Sequence, residues 1–299
     1  MSIPASLWQL QTLDPVSALN PHTQQIHHAA QFIALMGHSY LPKEADDSHT
    51  NIEWVNHIGG LIGHEIHFEE QIIRVGLVYH PFELHIYDQN MDSIDYINLE
   101  GSTIDEGMEW LKTQVINLGG QTDQLQAIQH YDLPEHELHK GGKFYFSNPV
   151  YILEIIKYRS NADYLLKLLV DSFDDATDVR IWPHHFDSGS LIITAKDDQD
   201  QVLSYIGIGL AIADQLIDEY YYYVSFSSKE SEIDFSSLPP LQYGRWGSPD
   251  FPGAILEMSS LLQFQKAEEQ MEASLLFFNE AINLGLDLMG KGKVELSTK

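Results

Sequence analysis

The chain has no cysteine in its 299 residues. That excludes disulfides, thiol nucleophiles and cysteine-ligated metal centres. Basic residues are scarce: 16 Lys+Arg stand against 44 Asp+Glu, a formal charge of −28 at pH 7. The arginines are Arg74, Arg159, Arg180 and Arg245 alone. Binding to nucleic-acid phosphates or to anionic membrane surfaces needs cationic side chains, so neither partner is expected. The longest strongly apolar stretch, Ile206 to Ala213, falls far short of the roughly 20 residues that span a bilayer. The opening residues MSIPASLWQLQTLDP have neither a basic region nor an apolar run, so no secretory signal and a cytoplasmic location are expected. Walker loops, Gly-x-Ser-x-Gly elbows and kinase signatures are missing from the sequence. Gly207-Ile-Gly209 has no helix pattern after it, so it is no dinucleotide fingerprint.

What is present is enough for a substantial core. With 43% hydrophobic and 20% charged residues, the composition is that of a folded chain. Asn20-Pro21 and Asn148-Pro149 each place an N-cap residue before a proline and open a helix. The first carries Ile26, Ala30, Ile33 and Met36 or Gly37 on one face, and the second runs to about Ser172. Thr103-Ile-Asp-Glu106 is a capping box that starts a third helix, stopped at Gly119-Gly120. A last helix is expected over 254–289, ending at Gly290, with an apolar stripe for the chain's own core or for a second copy. Strands are expected at 64–69, 71–79, 82–87, 94–99, 124–128, 178–182, 190–195, 202–212 and 219–226, with a hairpin turn at Lys196–Gln201. The fold class is α+β: two intimately packed lobes, each helix, antiparallel strands, helix, with duplication as one origin. The boundaries are an extension over 1–19, lobes over 20–145 and 146–290, and a tail over 291–299.

All 15 histidines lie between His22 and His185, ten of them before residue 86. Neutral imidazole ligates metals and titrates near neutrality, so this distribution directs the search for a site. In His130-Tyr-Asp-Leu-Pro-Glu-His136-Glu-Leu-His139, His136 and His139 share a face if the segment makes a helical turn. Neither this nor His64–His67 has the His-Glu-x-x-His spacing of zinc proteases. In Arg180-Ile-Trp-Pro-His184-His185-Phe-Asp187, an extended backbone turns His185 and Asp187 one way and His184 the other. Asp46-Asp47-Ser-His49-Thr-Asn51 is either a ligand-facing loop or Asx-turn chemistry; it lacks the calcium-loop pattern. His27, Gln31 and His38 fall on one helix flank, a pattern that usually marks a solvated or lobe-facing surface. In Tyr220–Tyr223, one alternate pair belongs to the core and the other, Tyr221 and Tyr223, lines a pocket with hydroxyls.

The run Ile181-Trp-Pro-His-His-Phe-Asp187, with His27-His28-Ala-Ala-Gln31 and the C-terminal helix, resembles a bacterial family of domains of unknown function. Family members carry an aromatic-Trp-Gly-Ser-Phe-Asp run in that place. Trp182, Phe186 and Asp187 match it and His184 and His185 do not, so the resemblance implies a fold rather than an activity.

The expected site is a His/Asp-lined pocket between the lobes. Its metal-binding set is His130, His136, His184, His185 and Asp187, for a divalent metal. Its ligand-binding set is Asp47, His49, Arg180, Tyr221 and Tyr223, with Arg180 meeting an anionic group of a small-molecule ligand. A metal-bound water makes hydrolysis the economical chemistry there. The alternative is a non-catalytic module that recognises a small molecule or protein through strand 220–226 and the proline-rich loop 227–253.

Overall fold

The computed structural model describes residues 7–68, 71–125, 131–146, 148–229, 238–248, 251–292 and 294. The class is α+β, with helices and two antiparallel sheets. The chain forms two compact units that interleave along the sequence. One comprises residues 21–156 and 180–186, the other residues 1–20, 157–179 and 187–299. No helix among the described residues is long and apolar enough to cross a membrane.

The unit of residues 21–156 and 180–186 is built on α1 (Asn20–Tyr40), which places Ile26, Ala30, Ile33 and Met36 in the core as its period dictates. Its sheet contains β1 (Glu53–Val55), β2 (Gly60–Ile62), β3 (Ile66–Phe68), β4 (Gln71–Val78), β5 (Glu83–Asp88) and β6 (Ser93–Asn98). The order is β1-β2-β4-β5-β6, with β3 also on β4. The expected strand at 82–87 starts one residue later, because Phe82 is a buried residue at φ 70°. β6 is an edge strand, and its Tyr96 amide donates to the Asp95 carboxylate (2.8 Å), which blunts that edge. α2 (Ile104–Asn117) begins at the expected capping box and ends before Gly119 at φ 82°. The residues expected as a strand at 124–128 begin in a 3-10 turn, Thr122–Gln124, and residues 126–130 lie outside the described set. α3 (Pro149–Val170) contributes Ile152 and Ile155 to this unit's core. β7 (Arg180–Ile181) is bridged to Ile52.

The other unit receives Tyr158, Ala162, Leu165, Leu166 and Leu169 from the rest of α3, all buried. Its strands β8 (Ser188–Lys196), β9 (Val202–Ala211), β10 (Tyr221–Ser228), β11 (Arg245–Trp246) and β12 (Gly253–Glu257) run antiparallel in the order β11-β12-β10-β9-β8. The hairpin between β8 and β9 turns through Asp197, whose carboxylate accepts from the amides of Gln199 and Gln201. The expected helix over 254–289 divides. Residues 253–257 are a strand on β10, α4 (Met258–Leu261) is one turn, and α5 (Ala267–Leu288) is the long helix. The cause is the run Gly253-Ala-Ile-Leu256, buried at every position, which satisfies its backbone by pairing inside a sheet. Gly290 follows α5 at φ 70°. Of the expected stripe, Met271, Phe278, Ile282 and Leu286 are buried and Ala267 and Leu275 half-buried. The N-terminal residues Trp8 and Gln11 are buried in this unit.

Candidate functional site

The expected residues divide between the units. Asp187, Tyr221 and Tyr223 belong to the unit of the second sheet. There the Tyr223 hydroxyl donates to Asp187 (2.6 Å) and the Tyr221 hydroxyl donates to Asp214 (2.7 Å). Gly189 and Gly209, opposite each other on β8 and β9, leave the space that the end of the Tyr223 side chain occupies. Burial and the facing carboxylate hold both phenols protonated, so their hydroxyls are committed donors. Tyr220 and Tyr222 are fully buried, the core pair of the alternation.

Three of the expected segments, 46–51, 131–139 and 180–186, come together in the unit of α1. Their organiser is the α1 flank. His27, on the flank expected to be solvated or lobe-facing, and its neighbour His28 are each only 4% exposed. His27 lies flat on Phe186, with ring centroids 4.7 Å apart. Its Nε2 donates to the Pro183 carbonyl (2.7 Å), as does Nε2 of Gln31 (2.9 Å). The Tyr131 hydroxyl donates to Oε1 of Gln31 (2.8 Å). One carbonyl thus fixes the His27 tautomer and the Gln31 amide together, and ties the 131 segment to α1. Burial and the Asp47 charge raise the Tyr131 pKa, which keeps that hydroxyl a donor.

The backbone beyond Pro183 is a turn rather than the extended alternative. Residues 183–185 form a turn, and the Phe186 amide donates to the Trp182 carbonyl (2.7 Å). A proline fixed in φ, followed by this closure, excludes the alternation that a strand would give. His184 lies near Tyr131 (5.8 Å between centroids) and His185 (4.6 Å), while His185 itself is exposed.

His136 and His139 share a face as the helical-turn reading expects. His136 caps the 3-10 helix Glu137–Lys140 by accepting the Leu138 amide on Nδ1 (3.2 Å). Both rings meet His28, at 5.0 Å and 4.6 Å. Sequence reasoning missed His28; its signal was the apolar pair Phe32 and Leu35, which share its side of α1 and are buried with it. Burial, and then His139, His27 and His136, lower the His28 pKa from 6.5 to about 3. Burial likewise lowers that of His136. Nδ1 of His28 is buried without a hydrogen-bond partner among the described residues.

The loop at 46–51 is the Asx-turn structure that its sequence allows. The Asp46 carboxylate accepts the Ser48 amide (3.0 Å), and Asp47 sits at φ 61°. α1 approaches this loop at Gly37, where any Cβ would overlap the His49 carbonyl. Glu44 N–H donates to Nδ1 of His49 (3.2 Å), so the neutral ring carries its proton on Nε2. That Nε2–H is buried with no acceptor among the described residues. His64 donates from Nε2 to the Ser48 carbonyl (3.0 Å) and to Asn51 Oδ1 (2.9 Å). Burial and then the Arg180 guanidinium lower its pKa. Arg180 also faces Glu53 at 3.7 Å.

His130, a member of the expected metal set, lies outside the described residues. Among the described residues no three His, Asp or Glu side chains are arranged to hold a metal ion. The site as described is therefore a set of imidazoles held by hydrogen bonds and ring contacts, with Arg180, Asp46, Asp47 and Glu53 as charged groups of the same unit. Comparisons with protein-family models, with curated proteins and with solved structures return no match to this chain.

Proposed function

We propose that the unit built on α1 binds a small polar molecule, and that an oxygen of that molecule accepts the Nε2–H of His49. The observation that carries this reading is the His49 ring. Its Nδ1 is committed to the Glu44 amide, which leaves a buried N–H with no acceptor among the described residues. Such a group costs about 1–3 kcal/mol until an acceptor reaches it. The acceptor we infer is an anionic oxygen, of a carboxylate or a phosphate, with Arg180, which acts electrostatically on His64 and also faces Glu53 (3.7 Å), as the cation of this unit that would meet it. The role is binding. Metal-dependent hydrolysis, expected from the donor types, draws no support from the donor geometry among the described residues.

The test is imidazole-detected NMR on chain labelled with 15N-histidine, titrated separately with inorganic phosphate, succinate and Zn2+. One of the two anions moves the His49 resonances saturably at millimolar concentration or below, and His49→Leu abolishes the response. No His49 response at about 10 mM of either anion rejects the reading. Stoichiometric movement of His28, His136 and His139 by Zn2+ alone replaces it with a metal centre.

A further inference from the structure

The N-terminal segment Trp8–Gln11 has neither helix nor strand structure, yet its own unit holds it by its backbone. The Gln9 amide donates to Asn161 Oδ1 (2.8 Å), and Asn161 Nδ2 donates back to the Gln9 carbonyl (2.8 Å). The Gln11 amide donates to Gln270 Oε1 (3.0 Å), and Gln270 Nε2 donates back to the Gln11 carbonyl (2.9 Å). Between them Lys157 Nζ donates to the Leu10 carbonyl (3.1 Å). Asn161 and Gln270 are completely buried. Each therefore uses both ends of its amide to read one residue's backbone, a form of recognition indifferent to side-chain identity.

Side-chain recognition in the same segment is poor. Gln11 is 1% exposed, and neither atom of its side-chain amide has a hydrogen-bond partner among the described residues. The buried indole N–H of Trp8 has none either. Unsatisfied buried polar atoms weaken docking, and an apolar side chain of similar size fills the same space without that cost. The segment from Leu7 to Leu13 is uncharged, and the −28 charge of the chain repels acidic replacements.

We propose that Asn161, Gln270 and Lys157 form a peptide-binding site, with Trp8–Gln11 as its resident and displaceable occupant. Its preferred ligand is an uncharged linear segment of another protein, with apolar side chains at the two buried positions three residues apart. The intact chain is tested by fluorescence anisotropy with two labelled peptides, one with the sequence of residues 7–14 and one with Leu in the Gln11 place. The leucine peptide binds about tenfold tighter than the native-sequence peptide, as removal of an unsatisfied amide requires. A Trp8→Ala chain, whose resident segment is weakened, captures the leucine peptide about tenfold more tightly than the unmodified chain. Gln11→Leu in the chain raises the thermal midpoint and reduces capture. Failure of the leucine peptide to bind either the unmodified or the Trp8→Ala chain overturns the site. Equal affinity for the two peptides overturns the apolar preference.

Discussion

His28 sits where a proton is unwelcome. The unfolded chain takes one up near pH 6.5, and the folded chain resists it until about 3. The stabilisation tied to the neutral ring is therefore complete above about pH 6.5 and is lost as pH falls toward 3. His22, His64 and His136 are lowered too, burial first in each case, and act in the same direction. Urea midpoints are expected to fall from pH 7 to about 5.5, above the range where most carboxylates titrate. His28→Gln, which has no titrating ring, has a flatter profile over that window. Identical slopes for the two chains would remove His28 as the cause. The sequence allowed only part of this to be read. The flank of His27, Gln31 and His38 is legible because helical period fixes it. The meeting of His28 with His136 and His139 joins segments more than a hundred residues apart, which no local pattern encodes.

At the scale of elements, local chemistry was the better guide wherever a helix is terminated by its own side chains. The Thr103–Glu106 box has both hydrogen bonds, at 2.8 Å and 3.1 Å, as the spacing requires. Thr103→Ala is expected to lower stability by about 0.5–2 kcal/mol, read from chemical denaturation. Pattern failed at residues 253–257, because a short apolar run buried on all sides is the same string of letters in a helix and in a sheet interior. It failed also at β1 and β2, each only three residues long, too short for a period to show. α5 offers a sharper test of packing. A Cβ at Gly285 would overlap the Phe226 ring, whereas one at Gly292 meets nothing within 4 Å. Gly285→Ala is expected to cost about 1–3 kcal/mol and Gly292→Ala close to nothing. Equal effects of the two substitutions would contradict the close approach of α5 to β10.

For the whole molecule, the order of helix and strand signals made the α+β class legible and left the interleaved division of the chain unreadable, because that division is made by contacts between distant segments. Composition also leads to a prediction that needs no site. Several of the 16 Lys+Arg are engaged with carboxylates on the surface, as in Arg74–Glu65, Lys196–Asp175, Arg245–Glu257 and Lys266–Glu269. Even if every base were paired, the excess of 44 acids over 16 bases would leave 28 carboxylates in mutual repulsion. Exposed pairs contribute at most about 1 kcal/mol each, and salt screens them. Repulsion among many like charges is screened by the same ions, over a Debye length that shrinks from about 30 Å at 0.01 M to about 8 Å at 0.15 M. The two effects oppose each other, and the larger population decides. Because unpaired carboxylates outnumber the pairs, added salt relieves more repulsion than it removes attraction. The thermal midpoint at pH 7.5 is therefore expected to rise by a few degrees between about 0.01 and 0.15 M NaCl, and to rise equally with KCl. Calorimetry at the two salt concentrations checks it. A midpoint that falls with salt would mean that the ion pairs outweigh the net charge.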